Sequence, residues 1–298
     1  MFLLLLLLPL LSQCIRLSPE ENNQLRTTCG QTGSTLSRSN GPRTNQSDAP
    51  FTVAIGTSSA QIFCSATFIS SRHVLTAAHC ITAISGYNGP LYAMITKNVE
   101  KEESEFQYVV LEQLQVRKAH YPWYYSNVYT LGDIALLEVD SSNKGLSQPA
   151  CLPEKDLTLG SEVRLYGYGI NVHDETAHNP LGVLRTVASK TEFCPLFGSF
   201  EICFKGYPLL ACGGDSGGSL VSIIGDRITL NGVMTKINHL CKHNIWNDAV
   251  GYLNMGTSVF YHLDWICHVS GICPTKEVEK NAKDFELVVK TKYRTIVL

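Results

Sequence analysis

The chain has 298 residues, with 24 Lys and Arg against 26 Asp and Glu. A formal net charge of -2 leaves no electrostatic footprint for nucleic acid or for an anionic membrane surface. A hydrophobic share of 44% with 23 Gly and 12 Pro suits a turn-rich globular fold, and the length fits one two-barrel domain as well as two small domains.

Residues 2–11 form an apolar, leucine-rich run shorter than the roughly 20 residues that a membrane-spanning helix needs. Its length suits the core of a secretory signal peptide over residues 1–16, cut near Gln13 to Arg16, although a basic start is missing. A membrane anchor is the alternative. No other stretch is apolar over a spanning length, so no membrane contact is expected once the signal is removed. Eleven cysteines in a secreted chain point to disulfides rather than to a metal site. Loss of Cys14 with the signal leaves ten, an even set.

Residues 17–47 are polar, show little periodicity and read as a propeptide or N-terminal extension. Within them Asn45-Gln46-Ser47 is the one N-glycosylation sequon, so Asn45 is a candidate glycan site. From Pro50 onward short apolar runs alternate with turn residues, the pattern of an all-β protein. Strands are predicted at residues 51–55, 63–69 and 74–78, the last leading into His79. Four glutamates lie between residues 100 and 105 and read as a solvated charge run. Taken singly, His79 is a structural histidine and Asp133 a turn residue ahead of the apolar run 134–137.

Ala211-Cys212-Gly213-Gly214-Asp215-Ser216-Gly217-Gly218 has a different character. Its glycines let the backbone bend tightly and aim N–H groups into one small space, which a serine nucleophile needs for its oxyanion. Alone, the stretch is also a glycine-rich turn with a solvated serine. Farther on, residues 259–266 place apolar side chains at helical spacing. Residues 271–298 form a polar extension that ends in Ile-Val-Leu.

Three segments change the reading when taken together: Leu75-Thr76-Ala77-Ala78-His79-Cys80, Leu131-Gly132-Asp133-Ile134-Ala135-Leu136-Leu137 and the segment around Ser216. With their flanks and order they resemble the chymotrypsin/trypsin family of serine proteases, over about residues 48–270. Residues 21–30 are in addition similar to the leader of a nematode group of trypsin-like proteins. The resemblance implies an all-β protease domain of two six-stranded antiparallel β-barrels with a short C-terminal helix. Ser216 would be the nucleophile, His79 the base and then the acid, and Asp133 the group that holds the imidazole. The N–H groups of Gly214 and Ser216 would form the oxyanion hole, and no metal or organic cofactor is implied.

The same resemblance implies disulfides from Cys64 to Cys80, Cys194 to Cys203, Cys212 to Cys241 and Cys29 to Cys151, and leaves Cys267 and Cys273 to close a small terminal loop. His120 falls in the stretch before the aspartate segment and reads as a packing residue. Residues 149–153 match the linker between the barrels, and Tyr168 replaces the tryptophan of a Gly-Trp-Gly. The partners implied are protein or peptide substrates and protein protease inhibitors, acting on a monomer.

Several positions depart from the family pattern. Leu210, six residues before Ser216, would floor the substrate pocket and leave a buried Lys or Arg unpaired. Ile237 stands where the family has glycine and would narrow the pocket mouth, so small aliphatic residues are expected before the cut. Lys236 in place of tryptophan removes an apolar platform, while the Thr235 hydroxyl is expected to reach Asp133. Family zymogens insert a new Ile or Val terminus whose ammonium pairs with the residue that is Asp215 here. Cuts after Arg38 or Arg43 would expose Ser39 or Thr44, so Asp215 needs another partner. The expected function is that of a secreted serine endopeptidase. The alternative is a non-catalytic homologue acting as a binding or regulatory module, and the order of the three groups sets aside an esterase or lipase.

Overall fold

The structure is a computed structural model, and it describes residues 16–31, 44, 46–59, 61–83, 89–100, 106–125, 131–141, 145–170, 181–194, 200–205, 211–237, 253–284 and 293–298. The signal run, the sequon residue Asn45, the glutamates at 102, 103 and 105, Leu210 and Cys241 lie outside them.

Twelve strands form two barrels. The first contains β1 (Thr52–Thr57), β2 (Ile62–Ser70), β3 (His73–Thr76), β4 (Leu91–Glu100), β5 (Phe106–Pro122) and β6 (Ala135–Val139). Its sheet runs β5-β4-β1-β2-β3-β6, and pairing of β5 with β6 closes the ring. The second is a closed barrel of β7 (Glu162–Gly167), β8 (Arg185–Glu192), β9 (Glu201–Lys205), β10 (Ser219–Ile224), β11 (Arg227–Ile237) and β12 (Leu253–Ser258). Their pairings are antiparallel. Closure leaves the second sheet without a free edge to template pairing with another chain.

Burial explains why these segments are strands. Val53, Ala54, Ile55, Phe68, Ile69, Val74 and Leu75 are all buried, and each larger side chain among them contributes roughly 1.5–3 kcal/mol on leaving water. The barrels meet through apolar and polar contacts. Phe51 meets Tyr166 edge to face at 5.2 Å, and the Thr67 and Ser219 hydroxyls lie 2.6 Å apart. Tyr168 is fully buried, and its hydroxyl bonds Gln46 at 3.0 Å and Thr52 at 3.2 Å. The tyrosine therefore fills an aromatic position and satisfies its polar end.

The termini contain more structure than composition predicts. Pro19–Thr28 form helix α1, opened by a capping box between Ser18 and Glu21. The helix buries only Asn22 and Leu25, so it has no apolar stripe for a periodicity reading to find. Polar bonds and a crosslink dock it instead. Asn22 exchanges two bonds with the Cys273 backbone, and Arg26 Nε donates to the Cys273 carbonyl at 2.6 Å. At the other end, helix α3 (Leu263–Ser270) is followed by helix α4 (Lys276–Asp284) and by strand β13 (Tyr293–Val297), which pairs with β5. Tyr293 stacks on the buried Trp265 at 4.7 Å.

Disulfides join Cys29 to Cys151, Cys64 to Cys80, Cys194 to Cys203 and Cys267 to Cys273. Cys212 is also disulfide-bonded.

Candidate active site

Strand pairing brings His79 to Asp133. The last residue of β3, Thr76, pairs with the first of β6, Ala135. Three residues onward, His79 opens the one-turn helix α2 (His79–Thr82), and Asp133 lies two residues before β6. Asp133 Oδ1 accepts the His79 backbone N–H at 2.9 Å, and its Oδ2 lies 2.7 Å from Nδ1. The carboxylate is an acceptor only, so Nδ1 carries the proton and Nε2 is left as the acceptor nitrogen. Asp133 is fully buried, while the His79 side chain is 29% exposed.

Ser216 sits in the turn that enters β10. Its carbonyl accepts the Ser65 N–H at 2.7 Å, and Cys80 Sγ, next to His79 in the chain, lies 3.7 Å from the same oxygen. The turn's backbone is thereby bonded to β2 and packed against the start of α2. Among the described residues no hydrogen bond joins His79 to Ser216, and catalytic bonds of this kind commonly tighten only when substrate binds. Two glycines are required by shape. Gly214 has φ +96°, and a Cβ there would lie 2.9 Å from Gly169 Cα; Gly217 has φ +81°, and its Cβ would lie 2.0 Å from the Ser65 carbonyl oxygen.

The turn leaves backbone donors open. Among the described residues, the N–H groups of Gly213, Gly214 and Ser216 have no acceptor, the first of them at an exposed residue, whereas those of Asp215, Gly217 and Gly218 bond to carbonyls. The peptide carbonyls around Gly214 are held from behind. Ile170 N–H donates to the Gly213 carbonyl at 3.0 Å, and the Ser65 hydroxyl donates to the Gly214 carbonyl at 2.7 Å. Ser65 Oγ in turn accepts the Tyr168 N–H at 2.9 Å. Sequence reasoning missed Ser65, whose only signal was its place next to Cys64.

Asp215 is buried and accepts N–H bonds from Cys212 at 2.8 Å and Gly169 at 2.9 Å. Burial pushes its carboxyl up to about 6, against the opposing pull of those two bonds and of the Arg185 cation. Arg38, Ser39 and Arg43 lie outside the described residues.

The pocket residues behave unevenly. Thr235 does not reach Asp133. Its hydroxyl donates to the Met255 carbonyl at 3.2 Å, because the register shift between Met234 and Lys236 opposite β12 offers it that acceptor. Ile237 pairs with Asn254 and packs against the apolar cluster of the second barrel. Lys236 Nζ lies 2.8 Å from Glu201 Oε1, with both side chains largely buried. His120 bonds Glu138 and Thr295, a packing position away from the His79–Asp133 pair. The sulfurs of Cys64 and Cys80 lie near the His79 ring, but a disulfide offers no thiolate to a metal.

The described site thus holds an imidazole bonded twice to one buried carboxylate and a serine-bearing turn whose Gly214 and Ser216 N–H groups have no acceptor among the described residues. Two antiparallel barrels with such groups in the turns between strands define the chymotrypsin class of fold. A model of the Trypsin family matches residues 18–266. The chain is 33% identical to Chymotrypsin-2 of Vespa crabro over 209 residues, which cover 66% of this chain and 85% of that protein. It is 28% identical to Snake venom serine proteinase 4a of Crotalus adamanteus, over 76% of this chain and 84% of the relative. Against the thrombin-like enzyme halystase of Gloydius blomhoffii the identity is 29%, over 76% and 93%. The chain belongs to the trypsin family of serine peptidases, hydrolases that act on proteins.

Proposed function

We propose that the protein is a secreted serine endopeptidase in which Ser216, His79 and Asp133 form the catalytic triad. Ser216 Oγ attacks the scissile carbonyl as His79 Nε2 takes its proton, and the imidazolium then protonates the leaving amine. Asp133 keeps the proton on Nδ1 and stabilises the imidazolium. The Gly214 and Ser216 N–H groups receive the oxyanion, where one such donor is worth roughly 10²- to 10³-fold in rate. The observation that carries this reading is a histidine held twice by one buried carboxylate, together with turn N–H groups at Gly214 and Ser216 that have no acceptor among the described residues.

Small aliphatic residues are preferred before the cut, since Leu210 offers no counter-ion to Lys or Arg and Ile237 replaces a glycine. The apolar run at residues 2–11 directs secretion. Labelling of the purified protein by a fluorophosphonate, with Ser216→Ala as the control, tests the reading. Ser216-dependent labelling is expected; its absence in every processed form would leave a non-catalytic, protease-shaped binding protein.

A further inference from the structure

We propose that Arg185 is a positioning residue for the oxyanion hole, holding it in its competent form in the chain that has not been cut to a new N-terminus. The inference rests on the peptidase reading above and concerns how that site is switched on.

The geometry runs through two peptide groups. Arg185 is the first residue of β8, paired with Gly167, and its Nη1 donates to the Gly169 carbonyl. A trans peptide points its C=O and its N–H in opposite directions. The N–H of that same peptide belongs to Ile170, and it donates to the Gly213 carbonyl at 3.0 Å. The next peptide repeats the relation: its N–H belongs to Gly214 and has no acceptor among the described residues. A guanidinium thus stands at one end of a two-peptide chain, and an open donor stands at the other. Each bond polarises the next, so the cation both fixes the direction of the Gly214 N–H and strengthens it as a donor to an oxyanion.

Asp215 grips the neighbouring peptide. The Gly169 N–H donates to Asp215 Oδ1 at 2.9 Å, so the residue is held by a carboxylate on its N–H side and by a guanidinium on its carbonyl side. Space enforces the arrangement, since a Cβ on Gly169 would lie 2.4 Å from Asp215 Cγ. The usual cation for this aspartate is an inserted apolar N-terminus. The available cuts would leave Ser39 or Thr44 at that terminus, and Arg185 supplies a charge that needs no cut. Its effect on the buried Asp215 carboxyl has the sign of a stabilising cation.

The test uses the full secreted chain, with its N-terminus sequenced, and turnover of p-nitrophenyl acetate alongside fluorophosphonate labelling. The uncut wild type is expected to label, as is Arg38→Gln/Arg43→Gln at a rate within twofold. Arg185→Gln is expected to lower kcat by roughly 100-fold, the size of a lost oxyanion donor, with KM within threefold and an unchanged melting transition. Arg185→Lys, which keeps the charge without the planar fork, is expected to recover at least a tenth of wild-type kcat. Should Arg185→Gln fail to fold, guanidinium added to Arg185→Ala serves instead, with dose-dependent recovery of kcat expected. Wild-type kcat in Arg185→Gln, no recovery by guanidinium, or labelling that appears only after a new N-terminus forms overturns the inference while the peptidase reading stands. No labelling of wild type in any form overturns both.

Discussion

Asp133 holds His79 at two points, the backbone N–H at 2.9 Å and the imidazole Nδ1 at 2.7 Å. One buried carboxylate thus sets both where the residue's backbone lies and which ring nitrogen carries the proton. Asp133→Asn would present an amide that can donate to Nδ1 and so place the proton on Nε2. The expected result is a loss of roughly 10⁴-fold in kcat, read on any ester substrate with melting as the control for folding. A loss below tenfold would remove Asp133 from the triad.

Asp215 links stability to pH with a definite sign. Its carboxyl titrates at about 6 in the folded chain and at 3.8 when unperturbed, so the folded state binds more protons between these values. The stabilisation is fully present below 3.8 and is lost as pH rises through about 6. Urea unfolding of the wild type across this range should show that decline, and Asp215→Asn should flatten it. An unchanged slope in the variant would place the titration elsewhere.

The pair Lys236–Glu201 lies almost out of water, with the side chains 14% and 3% exposed. Removing one partner strands the other charge, so Lys236→Met should lose about 3–5 kcal/mol in urea unfolding. Lys236→Met with Glu201→Met should recover most of the loss. Equal destabilisation by the single and double variants would contradict this.

Tyr293 stacks on Trp265 with an interplanar angle of 6° and opens the strand that lies along β5. Tyr293→Ala should cost about 1–3 kcal/mol, seen as a lower melting temperature. A melting temperature equal to wild type would mean that β13 adds nothing to the fold.

Substrate choice tests the pocket residues. Cleavage of a peptide library is expected after Ala or Val in preference to Lys or Arg, and Ile237→Gly is expected to admit larger residues. Dominant cleavage after Arg would refute the assignment of Leu210 to the pocket floor.

Local sequence determined the parts of this protein that work through local chemistry. The glycines beside Ser216 were legible because only glycine takes φ near +90° against a neighbouring backbone, as at Gly214 and Gly217. The flanks of His79 and Asp133 were legible because each group leaves or enters a short apolar strand. The capping box Ser18-Pro19-Glu20-Glu21 is likewise local, and it marks a helix that has no apolar stripe to announce it. Tertiary structure alone decided which distant groups serve the site. Ser65 reaches Gly214, 149 residues away, and Arg185 reaches Gly169 only because β7 and β8 pair in one register. Thr235 turned to Met255 for the same reason, a shift in strand register that no local pattern records. A side chain's type is a local property, whereas its partner is set by closure of the barrels, which joins residues far apart in the chain.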